Sequence, residues 1–268
     1  MHIKRHVKST LLSLNRTFGW PVAAVWQRTM ALGLNQPPFI GAYPDYATAA
    51  ASVPCHRPNS YDDDEIAPLN VATMARTEVW DYPMLLWLER LLKPGHVVLD
   101  AGGHYGPKYI AWRDHIDLSQ AHWHVYDVPA AVRGGRQAQA EGAVPREIAF
   151  HDDPADTPDA DILVASGLLQ YIDIPFHELV LQLPSRPRHI LLNKVATTQG
   201  PNVVTLELIG PGRVPYQMRN RANFEKSVTD LGYKMRDAWT IPSLSRRIPT
   251  HPWIAPSTSY GYVFERED

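Results

Sequence analysis

The segment Asp100-Ala101-Gly102-Gly103-His104-Tyr105-Gly106 places a carboxylate at the end of a short apolar run, with three glycines close behind it. Glycines at such a point permit a tight turn and let a ligand approach the main chain. A second carboxylate, Asp127, closes the run 123–126 and stands 27 positions further on (127 − 100). An acidic residue at the end of the second strand is placed to accept hydrogen bonds from both hydroxyls of a ribose. A glycine loop with two carboxylates therefore suits a nucleoside ligand, and the glycine spacing says which kind. A nicotinamide dinucleotide asks for G-x-G-x-x-G. Counted from Gly102 the second required glycine is His104, and counted from Gly103 it is Tyr105, so that fingerprint fails.

These residues need a frame that brings strand ends together. The run 96–100 has the apolar character of a buried parallel strand, and 123–126, 147–150, 161–165 and 189–193 read as further short strands. Helical stretches near 109–114, 129–141 and 174–183 separate most of them, and this alternation predicts a doubly wound, mostly parallel α/β sheet covered on both faces. Strands at 203–208, 234–240 and 260–265 and a helix at 222–231 complete the domain. Ahead of the first strand, 73–93 has a helical period with a break or kink near Pro83, ended by Lys93-Pro94-Gly95. Prolines 37, 38, 44, 54, 58 and 68 deny long helices to 36–68 and predict an irregular cap. The chain thus divides into a helical arm and irregular cap, 1–72, and an α/β domain, 73–268.

Four segments in order resemble the class I S-adenosylmethionine-dependent methyltransferases. More narrowly, they resemble a bacterial family of methyltransferases often found among polysaccharide and envelope biosynthesis genes. They are Phe39-Ile40-Gly41-Ala42-Tyr43, Val98 to Gly106, Val125-Tyr126-Asp127-Val128-Pro129, and Ser166-Gly167-Leu168-Leu169-Gln170-Tyr171. The resemblance spans about 39–262 and implies a seven-stranded Rossmann-like sheet and S-adenosyl-L-methionine as cofactor. It implies that Gly102, Gly103 and Gly106 frame the methionine moiety, with Asp100 at the loop's start and Asp127 at the ribose. Phe150 and His151 would meet the adenine edge, and Ser166, Gln170 and Tyr171 would belong to the floor between donor and acceptor. The acceptor it implies is a small molecule or carbohydrate, methylated at oxygen. The chain departs from the family in having Asp127 where glutamate is usual, and Asn193-Lys194-Val195 where an arginine-containing turn is usual. The second departure leaves acceptor contacts after the fifth strand unassigned.

Methyl transfer from a sulfonium is a direct displacement that needs alignment and exclusion of water, and a cationic donor favours carboxylates and aromatic faces over lysine or arginine. An oxygen acceptor also needs a proton acceptor. His104 and His151 in loops, and Tyr43 from the cap, are the candidates. His122 and His124 alternate about Trp123, but two histidines without a third ligand do not make a metal site. The acidic run Asp62-Asp63-Asp64-Glu65 lacks the glycine and terminal glutamate of a calcium loop. No metal is expected.

The 268 residues are 44% hydrophobic and 20% charged, enough for one large core, and the net charge of -2 supplies no general field for a polyanion. Nucleic acid is not the expected partner, and no Asn/Asp-Pro-Pro-aromatic motif follows the fourth strand. One cysteine, Cys55, excludes an internal disulfide and fits a reducing, cytoplasmic compartment. No run reaches the roughly 18 to 20 apolar residues of a membrane span. Lys4, Arg5, His6 and Lys8 precede Leu11, Leu12, Leu14, Phe18 and Trp20, an order that suits the inner face of an anionic membrane, a protein partner, packing on the domain, or an organellar presequence. Two other readings stand beside the enzyme: a catalytically silent binding protein that docks through residues 1–30, and a nicotinamide-dependent oxidoreductase.

Overall fold

A computed structural model describes residues 19–31, 36–69 and 71–267. The basic residues from Lys4 to Lys8, and the apolar ones to Phe18, lie outside them. In chain order the elements are α1 (Trp20–Ala31), β1 (Phe39–Tyr43), α2 (Tyr46–Ala51), α3 (Val71–Met74), α4 (Tyr82–Leu91), β2 (Val97–Ala101), α5 (Pro107–Trp112), β3 (His122–Tyr126), α6 (Pro129–Ala140), β4 (Ile148–His151), β5 (Ile162–Ser166), α7 (Phe176–Gln182), β6 (His189–Thr198), β7 (Val203–Ile209), β8 (Gly212–Asn220), α8 (Arg221–Thr229), β9 (Tyr233–Ile241) and β10 (Thr258–Arg266). Among the described residues no helix is long and apolar enough to cross a membrane.

Seven strands form the main sheet in the order β4-β3-β2-β5-β6-β10-β9. The first five are mutually parallel, and β10 runs antiparallel to both β6 and β9. The order reverses at β2 and β5, so the carboxyl ends of these strands open a crevice at the topological switch point. Strand alternation gives each face its own core. Val98, Ile162 and Leu191 pack with Met84 and Leu88 of α4 and Trp112 of α5, while Leu99, Leu163 and Ile190 pack with Phe176 and Leu179 of α7 and Phe224 of α8.

A second, antiparallel group, β1-β7-β8, joins the main sheet where β8 pairs with the end of β6 through Thr197↔Arg219 and Thr198↔Asn220. The expectation of an irregular 36–68 is thus met only in part. Phe39 opposes Glu207 and Ile40 opposes Leu206, so this stretch supplies an edge strand. Strand β8 was not expected, since Pro215 and two arginines obscure its pattern, but Pro215 stands opposite Leu206 within an antiparallel hairpin.

The helical stretch 73–93 is broken near Pro83 rather than kinked. Pro83 lies in the first turn of α4, where a missing N–H costs nothing, after a short 3₁₀ turn at Val79–Asp81. Strand β6 runs past its expected end at 193 through a bulge: Leu192 pairs with Tyr262 and Val195 with Tyr260, leaving Asn193 and Lys194 together opposite Gly261.

Leu163 is fully buried at the centre of the sheet. Leu163→Ala is expected to lower unfolding free energy by about 2 to 5 kcal/mol, whereas Leu181→Ala, at a side chain 52% exposed, should change it by less than about 0.5 kcal/mol. Urea denaturation of both variants checks this.

Candidate functional site

The glycine loop begins where β2 ends. Gly102 has φ +70, and its N–H donates to the Tyr126 carbonyl (2.8 Å), which ties the loop to β3. Gly103 lies so close over Asp100 that a Cβ would stand 2.7 Å from both the Asp100 Cγ and its carbonyl oxygen. His104 then adopts φ +54, a conformation that costs a non-glycine residue of order 1 kcal/mol or more. The surroundings hold it there. Its N–H donates to Asp127 Oδ2 (2.7 Å), while Asp127 Oδ1 accepts from the Val128 N–H (2.7 Å) at the start of α6. One carboxylate therefore joins the loop after β2 to the loop after β3.

A cavity of about 240 Å³ opens at this point. Its lining includes Asp100, Gly102, His104 and Asp127 from the loops after β2 and β3, Ser166, Gln170 and Tyr171 from the end of β5 and the segment after it, Tyr61 from the cap, Glu207 and Tyr216 from the antiparallel hairpin, and Lys194 and Arg246. The Tyr171 hydroxyl donates to Glu207 Oε2 (2.6 Å), and the Tyr171 ring meets those of Tyr61 and Tyr216 edge-on at 4.8 and 5.5 Å. Arg219 of β8 fixes the segment carrying Gln170 and Tyr171 by donating to the Leu169 and Ile172 carbonyls.

Burial sets the charge states. It pushes the Asp100 carboxyl up to about 7, the nearby Lys108 ammonium opposing this and the Asp127 charge adding to it. Asp127 is likewise pushed up by burial to about 6, against the two backbone N–H groups that favour its ionised form. His104 is pushed down to about 4 by burial and is neutral at pH 7. Burial also raises Glu207 and lowers Lys194 to about 8. Four side chains on the cavity carry buried polar atoms without a hydrogen-bond partner: Asp100 Oδ2, both ring nitrogens of His104, Ser166 Oγ and Gln170 Oε1. Buried polar atoms are almost always satisfied in folded proteins. Four unmet groups around one cavity, two of them carbonyl or carboxylate oxygens, describe a site for a ligand rich in hydrogen-bond donors.

Of the residues singled out in the sequence, the structure brings Asp100, Gly102, His104, Asp127, Ser166, Gln170 and Tyr171 to the cavity, with Gly103 and Gly106 in the loop backbone that frames it. It does not bring Phe150, His151 or Tyr43 there. The alternation of β4 sends the Phe150 ring into the core beneath α6, against Gly135. His151 falls on the opposite side of the strand, where its Nε2 lies 2.9 Å from His124 Nδ1, and only its carbonyl approaches the site by accepting from the Asp127 N–H (3.1 Å). Tyr43 packs beside Ala49, Val53, Val204 and Leu206. Among the described residues no three His, Cys, Asp or Glu side chains are grouped to hold a metal.

Sequence reasoning missed Tyr61, Lys194, Glu207, Tyr216 and Arg246. Only Lys194 had left a signal, at the departure from the family pattern. Glu207 and Tyr216 reach the cavity through a hairpin whose second strand has no clear period.

Seven strands in this order, with β10 antiparallel and a glycine loop at the switch point, define the Rossmann-like class I methyltransferase fold. The structure is similar to that of the glycopeptide N-methyltransferase MtfA complexed with S-adenosyl-L-homocysteine, with a TM-score of 0.50, 10% identity, and coverage of 72% of this chain and 92% of that one. Weaker similarities are to the magnesium protoporphyrin IX methyltransferase of Synechocystis PCC 6803 (TM-score 0.45, 18% identity, 74% and 83% covered) and to the Burkholderia thailandensis 1,6-didemethyltoxoflavin-N1-methyltransferase (TM-score 0.47, 18% identity, 71% and 80% covered). No protein-family model matches the chain, and no curated protein matches it in sequence.

A carboxyl raised from 3.8 to about 7 in the folded state binds its proton more tightly there than in the unfolded chain. Its ionisation therefore costs stability, a cost that is absent below pH ~4, grows between about 4 and 7, and is complete above. Asp100→Asn is expected to be more stable than the unsubstituted protein at pH 8, by on the order of 2 kcal/mol. The difference should fade toward pH ~4, as urea denaturation at the two pH values will show.

Proposed function

We propose that this chain binds S-adenosyl-L-methionine at the glycine loop and transfers its methyl group to an oxygen of a small-molecule or carbohydrate acceptor. The observation that carries the donor is the convergence of unmet polar atoms from Asp100, His104, Ser166 and Gln170 on a cavity at the switch point. The bound donor supplies an electrophilic methyl group on a positively charged sulfur. Asp127 would accept from the ribose hydroxyls with the lone pairs that its two backbone N–H partners leave free. Asp100 supplies negative charge beneath the loop. Its partial protonation near neutrality is relieved when a cation enters, so donor binding and Asp100 ionisation reinforce one another.

The same features weigh against a dinucleotide. A diphosphate needs backbone amides free of nearby carboxylates, whereas here the His104 N–H is already taken by Asp127 and Asp100 lies directly below Gly103. His104 also brings an imidazole to the place where the dinucleotide fingerprint has a glycine.

The chain's own residues supply the remaining requirements. Tyr61, Tyr171 and Tyr216 offer ring edges and faces on the acceptor side, the arrangement that suits a flat or sugar-like molecule with polar substituents. Glu207, held by the Tyr171 hydroxyl, accepts hydrogen bonds from that molecule, and Arg246 adds a donor beside it. The acceptor class rests on the resemblance to the methyltransferases of polysaccharide and envelope biosynthesis.

Isothermal titration of the purified protein is expected to show binding of S-adenosyl-L-homocysteine, with affinity reduced about tenfold or more in Asp127→Ala and no binding of NADH. Folded protein that binds neither S-adenosyl-L-homocysteine nor S-adenosyl-L-methionine would overturn the donor reading.

A further inference from the structure

Strand β6 departs from regular pairing with β10 at the point where Asn193 and Lys194 share Gly261 as partner. A bulge of this kind re-aims side chains. Asn193 Nδ2 donates to the Trp80 carbonyl (3.1 Å) and to Asp81 Oδ1 (3.2 Å), which anchors the bulge to the turn before α4. Lys194, at φ +59, lines the cavity beside Gly167, where a Cβ would stand 3.7 Å from its Cδ. Gly261 fixes the third corner, because a Cβ there would lie 2.0 Å from Trp239 Cε2. A left-handed, non-glycine residue held this firmly is placed by its surroundings rather than by its own preference.

The charges around Lys194 are unequal in their engagement. Lys108, the other lysine of the cavity, is committed to Asp81 at 2.7 Å. Among the described residues no carboxylate lies within the 4.0 Å of an ion pair from Lys194. The groups that act on it from neighbouring elements are Lys108 of α5, Asp81 and Glu78 before α4, and Asp100 of β2, while Asp127, His104, Glu207 and Arg246 share its cavity. Burial first, and Lys108 second, move its amine toward the neutral form. His104, the other nitrogen base on the cavity, holds a proton too weakly to take one from a hydroxyl.

We propose that Lys194 is the proton acceptor of the cavity, its amine set on the cavity wall by the β6 bulge to take the proton of the acceptor hydroxyl. The inference rests on the donor reading above. The step balances: the acceptor's O–H bond breaks as its oxygen bonds to the methyl carbon, the electron pair of the C–S bond passes to sulfur, and the proton joins Nζ, to be released later to water. A sulfonium and an ammonium in one cavity repel, so each disfavours the other. That repulsion can be read without knowing the acceptor.

The experiment compares the affinities of S-adenosyl-L-methionine and the uncharged-sulfur product S-adenosyl-L-homocysteine, by isothermal titration at pH 6.5 and 9, for the unsubstituted protein, Lys194→Met and Lys194→Arg. S-adenosyl-L-homocysteine binding reports an intact site in each, and Lys194→Gln serves as a second neutral variant. At pH 9 the unsubstituted protein should show the same preference for S-adenosyl-L-methionine over S-adenosyl-L-homocysteine as the Met variant. At pH 6.5 it should match the Arg variant, with a preference about tenfold lower. Any pH dependence left in the Met variant belongs to the carboxyls of the cavity, Asp100, Asp127 and Glu207. A preference in the unsubstituted protein that follows Arg at both pH values, or that equals both variants at both, overturns the role of Lys194 while leaving the donor site standing. Absence of binding by either ligand to the folded protein overturns the donor site and this inference together.

Discussion

Asp81 has no exposure to solvent, and its carboxylate receives the Lys108 ammonium at 2.7 Å, the Glu78 N–H at 3.0 Å and the Asn193 amide at 3.2 Å. A buried ion pair gains little stability in itself, because desolvation offsets most of the attraction, but loss of one partner leaves an uncompensated charge. Its consequence here is placement. Through Asp81 the turn before α4, the first helix after the glycine loop and the bulge of β6 are held at one point. Asp81 also engages Lys108, whose charge favours the ionised form of Asp100 against the burial that raises it.

The same arrangement leaves the site costly to the folded chain. Asp100 and Asp127 are both raised by burial, Lys194 is lowered, and His104 is buried with neither ring nitrogen bonded. His104 and Lys194 are also the two non-glycine residues with positive φ among those described. Strain and unmet polarity that cluster in one place, while the two cores on either side of the sheet are filled, follow the pattern in which binding sites are held against local preference by a well-packed scaffold. Both residues sit in the αL region, but for different reasons: His104 through the hold of Asp127 on its N–H, and Lys194 through a bulge.

Much of the frame was legible in the sequence because it depends on local pattern. Apolar runs at 96–100, 161–165 and 189–193 are buried on both faces and have no competing period, and the failed dinucleotide spacing at His104 corresponds to a real difference in the loop. The antiparallel hairpin was legible only in its first strand. The second, β8, combines Pro215 with buried Arg213 and Arg219, whose partners are carbonyls from distant segments. Such satisfaction is a tertiary matter and cannot be read from spacing. Phe150 and His151 show a related limit. Their strand was recognised, but which residue faces the site depends on a two-residue alternation whose phase the neighbouring strands decide.

The position of the hairpin explains how the crevice at the switch point gains a further wall. The five parallel strands present only their ends, and a crevice at a switch point is open on the side away from the sheet. Strands β7 and β8 enter between β6 and α8, where the chain is already at that side, and the short pairing of Thr197 and Thr198 with Arg219 and Asn220 carries the sheet's register into them. Glu207 and Tyr216 are thereby set by the backbone of β6, the strand that also carries the Lys194 bulge. Any shift of β6 would move the Lys194 amine and the hairpin side chains of the cavity together, so their relative position is kept.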